Sequence, residues 1–258
     1  MKIQFYKYQG TGNDFIILDD RNALFQKDNE SLVASLCHRK FGIGADGLML
    51  LRNHEELDFQ MIYFNSDGKE GSMCGNGGRA LVQFAFDLGI IGPECTFSAS
   101  DGNHDAKIID GLVHLRMIDV EDIEMTEEDY FMNTGSPHHV EFVDNINEFD
   151  VYTEGKSIRH THRYAPEGTN VNFVESLGKN KLKVRTFERG VEDETLSCGT
   201  GVTACAIASF LELEYTSPVS VEVMGGDLSV SFELKGDVFT NIHLIGPARK
   251  VFEGSVEL

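Results

Sequence analysis

Two segments of the sequence each place a cysteine directly before a glycine-rich stretch with the pattern of a helix start. They are "SMCGNGGRALVQFAFDL", which contains Cys74, and "LSCGTGVTACAIASFLEL", which contains Cys198. When the two cysteines are aligned, further identical pairs are Gly75 and Gly199, Gly77 and Gly201, Ala80 and Ala204, and Phe86 and Phe210. A strand-like run precedes each segment. The repeat predicts two similar halves that face each other, with one thiol from each half at a shared cleft.

A cysteine at a helix start has two chemical consequences. The first backbone N–H groups of a helix have no intrahelical acceptor, and the helix dipole adds partial positive charge there. A thiol at this place has a lowered pKa, and the N–H groups can bind a carboxylate that approaches closely over glycine. A single copy would be a weak signal, because a buried cysteine usually acts as a small apolar residue. Two matching copies favour a functional role.

Two opposed thiols suit the inversion of a carbon centre. One thiolate removes the α-proton of an amino acid, and the opposite thiol delivers a proton to the other face. The helix dipoles stabilise the carbanion through the substrate carboxylate. After turnover the two thiols have exchanged roles, so the pair resets itself. This chemistry requires neither a cofactor nor a metal, and none is expected.

Four blocks of the sequence, in order, resemble the diaminopimelate epimerase family. They are "GTGNDF" (Gly10–Phe15), "RKFGIGADGLMLL" (Arg39–Leu51), "FNSDGKEGSMCGNGGRA" (Phe64–Ala80) and "FERGVEDETLSCGTGVTA" (Phe187–Ala204). "TGSPHHV" (Thr134–Val140) and "PEGTNVNFV" (Pro166–Val174) lie between them, so the resemblance runs nearly end to end. It implies pyridoxal-independent interconversion of LL- and meso-diaminopimelate, a step of lysine and peptidoglycan precursor biosynthesis.

The resemblance also implies roles for individual residues. Cys74 and Cys198 would be the two bases. Glu188 would accept a hydrogen bond from the reacting ammonium, Arg189 would pair with the distal carboxylate, and His138 and Glu188 would modulate a thiol pKa. The reacting carboxylate would be held by Gly75, Asn76, Gly199 and Thr200. The zwitterions would receive further hydrogen bonds from Asn13, Asn65 and Asn170.

Several of these residues have a structural alternative. Asn65 and Asp67 could be turn-forming residues that make no substrate contact. Likewise, Asn13 could shape a loop and Asn170 could cap a turn. Glu188 and Arg189 could be a solvated charge pair. The sequence departs from the usual family pattern at Gly47, at Ser136 and in the longer segment Val191–Thr195.

Other residues with reactive or ligand-forming side chains are expected to be structural. Cys37 and Cys205 should pack in the core, and Cys95 should begin a strand. His160 and His162 in "HTH" lack the third ligand and the spacing of a zinc site, so we expect an ordinary strand face. His139 should be exposed or packed. The segment Met224–Asp227 should form a hairpin turn.

The wider pattern predicts an α+β fold of two pseudo-symmetric halves, each a mostly antiparallel sheet wrapped around a central helix. The halves are expected at 1–118, joined by 245–258, and at 119–244, with Asp119–Ser136 as a crossover or a solvated loop. Predicted helices cover Ser31–Arg39, Gly77–Leu88 and Val202–Glu212. Predicted strands cover Ile3–Tyr8, Phe15–Leu18, Phe59–Phe64, Val113–Met117, Val171–Val174, Leu182–Thr186, Val219–Val223 and Leu228–Phe232.

Composition limits the classes of partner. The 258 residues carry a net charge of −20 and show no basic stripe, so nucleic acids and anionic membranes are poor partners. No apolar run reaches the roughly 18 residues of a membrane span. The start lacks a signal pattern and the five cysteines are odd in number, so we expect reduced thiols in the cytoplasm. A small-molecule substrate is the expected partner, and a homodimer is left open.

Three other functions stay open on the residues alone. One is a different cofactor-independent racemase or isomerase on the same scaffold, of the proline-racemase or phenazine-biosynthesis type. The second is a thiol redox protein that uses Cys74 and Cys198 as a reversible disulfide. The third is an amino-acid-binding module without catalysis. Arg189 argues against a substrate with one carboxylate, and two thiols argue against mere binding.

Overall fold

The computed structural model describes residues 2–71 and 73–257; Ser72, the first residue of the first cysteine segment, lies outside the described residues. The chain separates into two compact units. The first comprises Met1–Leu115 and Pro247–Leu258, and the second comprises Arg116–Gly246. None of the helices in the described part of the chain is long and apolar enough to cross a membrane.

The first unit is a curved run of strands with two helices. In chain order it contains β1 (Lys2–Gly10), β2 (Asn13–Asp19), α1 (Glu30–Cys37), β3 (Gly47–Arg52), β4 (Phe59–Asn65), α2 (Gly75–Asp87), β5 (Glu94–Ala99), β6 (Gly102–Ile109) and β7 (Leu112–Arg116). The last strand of the chain also belongs here and is given below with the second unit. The α2 helix packs against β1, β2 and β3, and nearly all of its first three turns are buried.

The second unit repeats this plan. It contains β8 (Glu124–Met125), β9 (Asp129–Asn133), β10 (Pro137–Phe142), α3 (Val151–Arg159), β11 (Asn170–Gly178), β12 (Lys181–Glu188), β13 (Asp193–Thr195), α4 (Gly199–Leu213), β14 (Val219–Val223), β15 (Gly226–Lys235) and β16 (Val238–Gly246). The chain then returns to the first unit as β17 (Arg249–Glu257). The α4 helix is buried against β9 to β12 and β14 to β16.

The two units share one order and sense of strand pairing. In the first, β17–β1 and β1–β2 are antiparallel, β2–β3 parallel, β3–β4 antiparallel, β4–β5 parallel, and β5–β6 and β6–β7 antiparallel. The second unit has the same sequence of antiparallel and parallel pairs, which are β8–β9–β10, β10–β11, β11–β12, β12–β14 and β14–β15–β16. The internal repeat that the two cysteine segments predicted therefore extends to the whole topology, and the predicted α+β fold is confirmed.

The predicted elements are present, with shifted ends. Each predicted strand lies within an observed strand or overlaps it, and the hairpin at Met224–Asp227 is confirmed because Val223 pairs with Gly226. The helices α2 and α4 begin two and three residues earlier than predicted, directly after the cysteines. Glycine has a low intrinsic helix propensity. The buried packing of the first turn outweighs this low propensity in both helices.

Two expectations about the segments between the predicted elements were wrong. The segment Asp119–Ser136 lies inside the second unit and contains β8 and β9, so it is neither the crossover nor a simple solvated loop. His160 and His162 do not lie on a strand face, because α3 ends at Arg159 and His160 caps it. His162 follows in a turn in which its carbonyl accepts from the Ala165 N–H at 3.4 Å.

Helix α3 was missed because its sequence, "VYTEGKSIR", has weak intrinsic helix propensity. It forms because the Asp150 side chain accepts from the Thr153 N–H and because its buried face packs on β11 and β12. Gly155 is needed at this contact, since a Cβ there would lie 2.4 Å from Cβ of Phe187.

Candidate functional site

Both cysteines of the repeat occupy the N-cap position of their helix. Cys74 precedes α2 and Cys198 precedes α4, each with extended backbone angles, and neither side chain caps the helix. No acidic residue stands in the first turn of either helix. The helices α1 and α3 differ, because Asn29 and Asp150 cap them. The first turns of α2 and α4 therefore present N–H groups and positive dipole ends that neither the cap side chain nor an acidic residue of the same turn neutralises.

Asn13 lies beside the first thiol. The Cys74 thiol donates to Asn13 Oδ1 at 3.6 Å, and Asn13 Nδ2 donates to Asp46 Oδ2 at 2.7 Å. The Asp46 contact fixes the orientation of the amide, because only Nδ2 can donate to a carboxylate. Asn13 is thus a neighbour of the reactive sulfur as well as a loop residue.

A network of charges that the sequence did not reveal supports Asn13. Asp14 is bound by Lys7 at 2.6 Å and by Arg39 at 2.6 Å, and Arg39 also binds Asp46 at 2.6 Å. Burial by itself would raise the pKa of Asp14, but hydrogen bonds from Arg39 and Lys7 lower it to about 2. These residues were missed because their partners are distant in sequence.

The first turn of α2 rests on a buried polar contact. Asn76 Oδ1 accepts from Arg79 Nη2 at 3.0 Å and lies 3.4 Å from Thr11 Oγ1. Arg79 Nη1 donates to the Gly75 carbonyl at 3.3 Å. The side chain of Asn76 therefore faces the protein interior.

The second thiol has a different surrounding. Cys198 Sγ lies 3.5 Å from Thr200 Oγ1, which lies 2.8 Å from His138 Nε2. His138 is fully buried, and Asn172 Nδ2 contacts its Nδ1 at 3.1 Å. Burial lowers the pKa of His138 to about 3; the Asn172 hydrogen bond opposes this and the charge of Arg189 adds to it. His138 is therefore neutral at physiological pH.

The hydrogen bonds of Asn172 assign the tautomer of His138. Asn172 Nδ2 also donates to the His139 carbonyl at 2.8 Å, and its Oδ1 accepts from Thr186 at 3.0 Å. His138 Nδ1 must then accept, so the ring proton is on Nε2 and is donated to Thr200. The Thr200 hydroxyl can then donate its own proton to Cys198 Sγ when that sulfur is a thiolate. Asn172, a buried residue in the middle of a strand, carried no sequence signal for this role.

Glu188 and Arg189 lie where β12 turns into β13. Glu188 pairs with Asp193 across the hairpin and accepts from Thr195 Oγ1 at 3.0 Å. No ion pair within residues 2–71 and 73–257 includes Arg189. Its backbone N–H donates to Asn170 Oδ1 at 2.8 Å. Glu188 and Arg189 therefore do not form a salt bridge with each other. Asn170 caps the turn after β12, which is the structural alternative predicted for it.

The longer loop after Arg189 is anchored from α3. Arg159 binds Glu192 at 2.6 Å, and this hydrogen-bonded pair lowers the pKa of Glu192 to about 2. Arg185 binds Glu194 through two contacts of 2.6 and 2.7 Å. The hairpin that carries Glu188 and Arg189 is thus held by two arginine–glutamate pairs.

Asn65 closes a turn. Its carbonyl accepts from the Gly68 N–H at 2.9 Å and its side chain is exposed, so its turn role is present while its ligand role stays a prediction.

The other three cysteines are buried, and burial raises the pKa of Cys37, Cys95 and Cys205. The expected core packing and the start of β5 are confirmed. His139 is packed and hydrogen-bonded to Tyr164 at 2.8 Å.

Comparisons with known proteins identify the family of the chain. The family model for diaminopimelate epimerase matches residues 5–112 and 130–251. The diaminopimelate epimerase of Flavobacterium psychrophilum is 51% identical over 98% of this chain and 100% of its own length. The chain belongs to the diaminopimelate epimerase family. The diaminopimelate epimerase of Chlorobaculum tepidum is 44% identical over 96% of this chain and 99% of its own length.

Solved structures share the fold at much lower identity. A PhzF-family phenazine biosynthesis protein of Bacillus anthracis has a TM-score of 0.79 with 15% identity and full coverage of both chains. A hydroxyproline epimerase of Agrobacterium vitis has a TM-score of 0.67 with 15% identity, covering 100% of this chain and 93% of its own. These two show the scaffold only. The family of this chain is shown by the sequence matches and not by these structures.

Proposed function

We propose that this protein interconverts LL- and meso-diaminopimelate by proton transfer at one α-carbon. The observation that carries the proposal is the pair of cysteines at the N-caps of two buried helices, in a chain of this family. The sequences of the relatives named above support the substrate, and the repeated cysteine geometry supports the chemistry.

The mechanism uses one thiol from each unit. The thiolate of one cysteine removes the α-proton, and the thiol of the other protonates the opposite face of the carbanion. Cys74 and Cys198 exchange roles in the reverse reaction. Asn13 beside Cys74 accepts from a thiol, whereas Thr200 beside Cys198 can donate to a thiolate. These two hydrogen-bonding neighbours by themselves therefore favour Cys198 as the base and Cys74 as the acid.

The reacting carboxylate would lie at the starts of α2 and α4. The backbone N–H groups of Gly75, Asn76, Gly199 and Thr200 would hold it. As the α-proton leaves, negative charge moves onto this carboxylate, and the fixed dipoles stabilise it without reorganisation. The absence of side-chain caps on these two helices is consistent with this use.

The remaining polar residues would bind the rest of the substrate. Glu188 would accept from the reacting ammonium, and Arg189 would bind the distal carboxylate through its planar fork. Asn13, Asn65 and Asn170 would complete the hydrogen bonds to the two zwitterions. We further propose that the enzyme acts in the cytoplasm without a cofactor or metal; a homodimer stays open.

The test is epimerisation by the purified protein. With a reductant present, LL-diaminopimelate should yield the meso isomer, and neither EDTA nor hydroxylamine should reduce the rate. In D2O, solvent deuterium should appear at the α-carbon of the product. Failure to convert LL-diaminopimelate would refute the proposed substrate.

Cysteine variants test the mechanism separately. Cys74→Ala and Cys198→Ala should each abolish epimerisation, because each removes one of the two proton-transfer groups. Cys95→Ala is the matched control, because this thiol is buried in the first unit and its pKa is raised by burial. Near-normal turnover of either active-site variant would contradict the two-thiol mechanism.

A further inference from the structure

Arg79 is a completely buried guanidinium beneath the first turn of α2. Its Nη1 donates to the Gly75 carbonyl at 3.3 Å, and its Nη2 donates to Asn76 Oδ1 at 3.0 Å and Thr11 Oγ1 at 3.1 Å. All of these acceptors are neutral. Its Nε is buried without a hydrogen-bond partner, and no described carboxylate forms an ion pair with it.

The guanidinium nevertheless keeps its charge. Burial lowers the pKa of Arg79 to about 10, and the negative charge of the Cys74 thiolate acts in the opposite direction. Arg79 is therefore cationic at neutral pH. A buried cation without a counter-ion is costly, and the carbonyl that this guanidinium binds belongs to Gly75, the residue directly after Cys74.

Hydrogen bonding to the helix does not explain this charge. When Cys74 is aligned with Cys198, Arg79 aligns with Thr203. The Thr203 hydroxyl donates to the Gly199 carbonyl at 3.0 Å, which is the contact that Arg79 makes with Gly75. A neutral side chain is thus sufficient to satisfy this carbonyl in the second unit. Only the first unit has a cation at this position.

We propose that Arg79 is a positioning residue for Cys74: its fixed positive charge favours the thiolate, and its fork holds the first turn of α2 ready for the reacting carboxylate. The second part rests on the proposed function, whereas the first depends only on the thiol and the guanidinium. The charge matters when Cys74 must act as the base, because Asn13 Oδ1 by itself favours the protonated thiol.

The end of β1 allows the guanidinium to lie in this place. A Cβ on Gly10 would be 3.1 Å from the Asn76 carbonyl oxygen and 3.4 Å from Arg79 Nη2. A larger residue at position 10 would crowd the Asn76 carbonyl oxygen and touch the guanidinium. The three hydrogen bonds of Arg79 keep it in one orientation, as expected for a preorganised electrostatic group.

The experiment compares neutral and charged replacements of Arg79. Cys74 and Cys198 are alkylated with iodoacetamide over a range of pH in Arg79→Gln, Arg79→Met and Arg79→Lys, and each site is followed by peptide mass spectrometry. We expect the Cys74 midpoint to rise by about 1 pH unit in both neutral variants, the effect of losing one nearby opposite charge. The Lys variant should show a smaller rise than the two neutral variants at pH values where its ammonium is protonated, because it then keeps a positive charge at this position.

Two controls separate this role from a structural one. The Cys198 midpoint in the same samples should not move, and Arg52→Gln, which removes a guanidinium from an ion pair with Asp20 at 2.8 Å elsewhere in the unit, should leave both midpoints unchanged. Unchanged Cys74 midpoints in folded Gln or Met variants, with only a lower melting temperature, would overturn the proposal. An equal shift in Arg52→Gln would overturn it as well.

Activity gives an independent measurement. Because a rise of 1 pKa unit lowers the thiolate fraction at neutral pH about tenfold, kcat/KM of the neutral variants should fall about tenfold. If the wild type does not epimerise diaminopimelate, the proposed function fails, but the thiol titration still decides the effect of the Arg79 charge.

Discussion

The substitution Thr200→Val tests how Cys198 is held ready as a base. The change removes one hydroxyl and keeps the shape of the side chain. That hydroxyl lies 3.5 Å from Cys198 Sγ and 2.8 Å from His138 Nε2. Because Asn172 fixes the His138 proton on Nε2, the hydroxyl accepts from the ring and donates to the sulfur. The variant therefore removes one donor from the thiolate.

The size of the effect follows from these two contacts. A hydrogen bond to a charged group contributes about 1.5–3 kcal/mol, and the long sulfur contact favours the lower end. Since one pKa unit corresponds to about 1.4 kcal/mol, we expect the Cys198 thiol pKa to rise by about 1 unit. The His138 Nε2–H is also left buried without an acceptor, which should lower the free energy of unfolding by about 1–3 kcal/mol.

The assay is alkylation of both thiols against pH, with Cys74 as the internal reference. Thermal unfolding of the same samples gives the stability change. Thr200→Ser keeps the hydroxyl and should restore the Cys198 midpoint. Thr186→Val is a second control, because it removes a hydrogen bond to Asn172 Oδ1 without touching the donor that faces His138.

Kinetics distinguish a pKa effect from lost substrate binding. If the thiol pKa alone changes, the loss in kcat/KM is about tenfold at pH 7 and shrinks as the pH rises above the new pKa. The loss must be equal in both directions, because the equilibrium constant between the isomers is unchanged. An unmoved Cys198 midpoint in Thr200→Val, or a Ser variant that does not restore it, would refute the proton arrangement derived for His138.

Three further predictions follow from named contacts. Arg189→Met should lower kcat/KM on diaminopimelate at least about tenfold, through both kcat and KM, because distal binding also orients the reacting carbon; steady-state kinetics with unchanged constants would exclude the distal-carboxylate role. His138 takes up a proton more readily in the unfolded chain, since its folded pKa is about 3, so stability should fall as pH drops from about 6.5 toward 3. Denaturant unfolding of His138→Gln between pH 6.5 and 4.5 should show a smaller slope, and an identical slope would contradict this assignment. Gly155→Ala should cost about 1–3 kcal/mol in unfolding free energy, because its Cβ would meet Phe187. Gly92→Ala, where a Cβ meets nothing within 4 Å, is its control and should change stability little.

The first turns of α2 and α4 show what local sequence is able to predict. The Cys-Gly-x-Gly repeat indicated two helix starts with a thiol at each, because the pattern depends on neighbouring residues and on apolar periodicity. The structure moved the helix starts back to Gly75 and Gly199, since packing of the first turn outweighs glycine propensity. The buried cysteines were predicted on the same local grounds.

Residues that tune the thiols could not be found in this way. Arg79 meets Thr11, Asp46 meets Asn13, and Asn172 meets His138 only after strands from distant parts of the chain have paired. A single arginine in a helix usually lies on the surface, and nothing in its neighbours indicated that it would be buried. The roles assigned to Asn65 and Arg189 as substrate contacts stay predictions.

The sequence by itself determined the repeat, the α+β class, the family and the two candidate bases, because these depend on short motifs and on hydrophobic patterns. The tertiary structure decided which polar groups surround each sulfur. It placed a buried cation beneath the helix that follows Cys74. Beside Cys198 it placed a neutral histidine that is hydrogen-bonded to Thr200. The two half-sites share one topology but differ in electrostatics, because hydrogen bonds and burial depend on contacts across the fold, which no local pattern encodes.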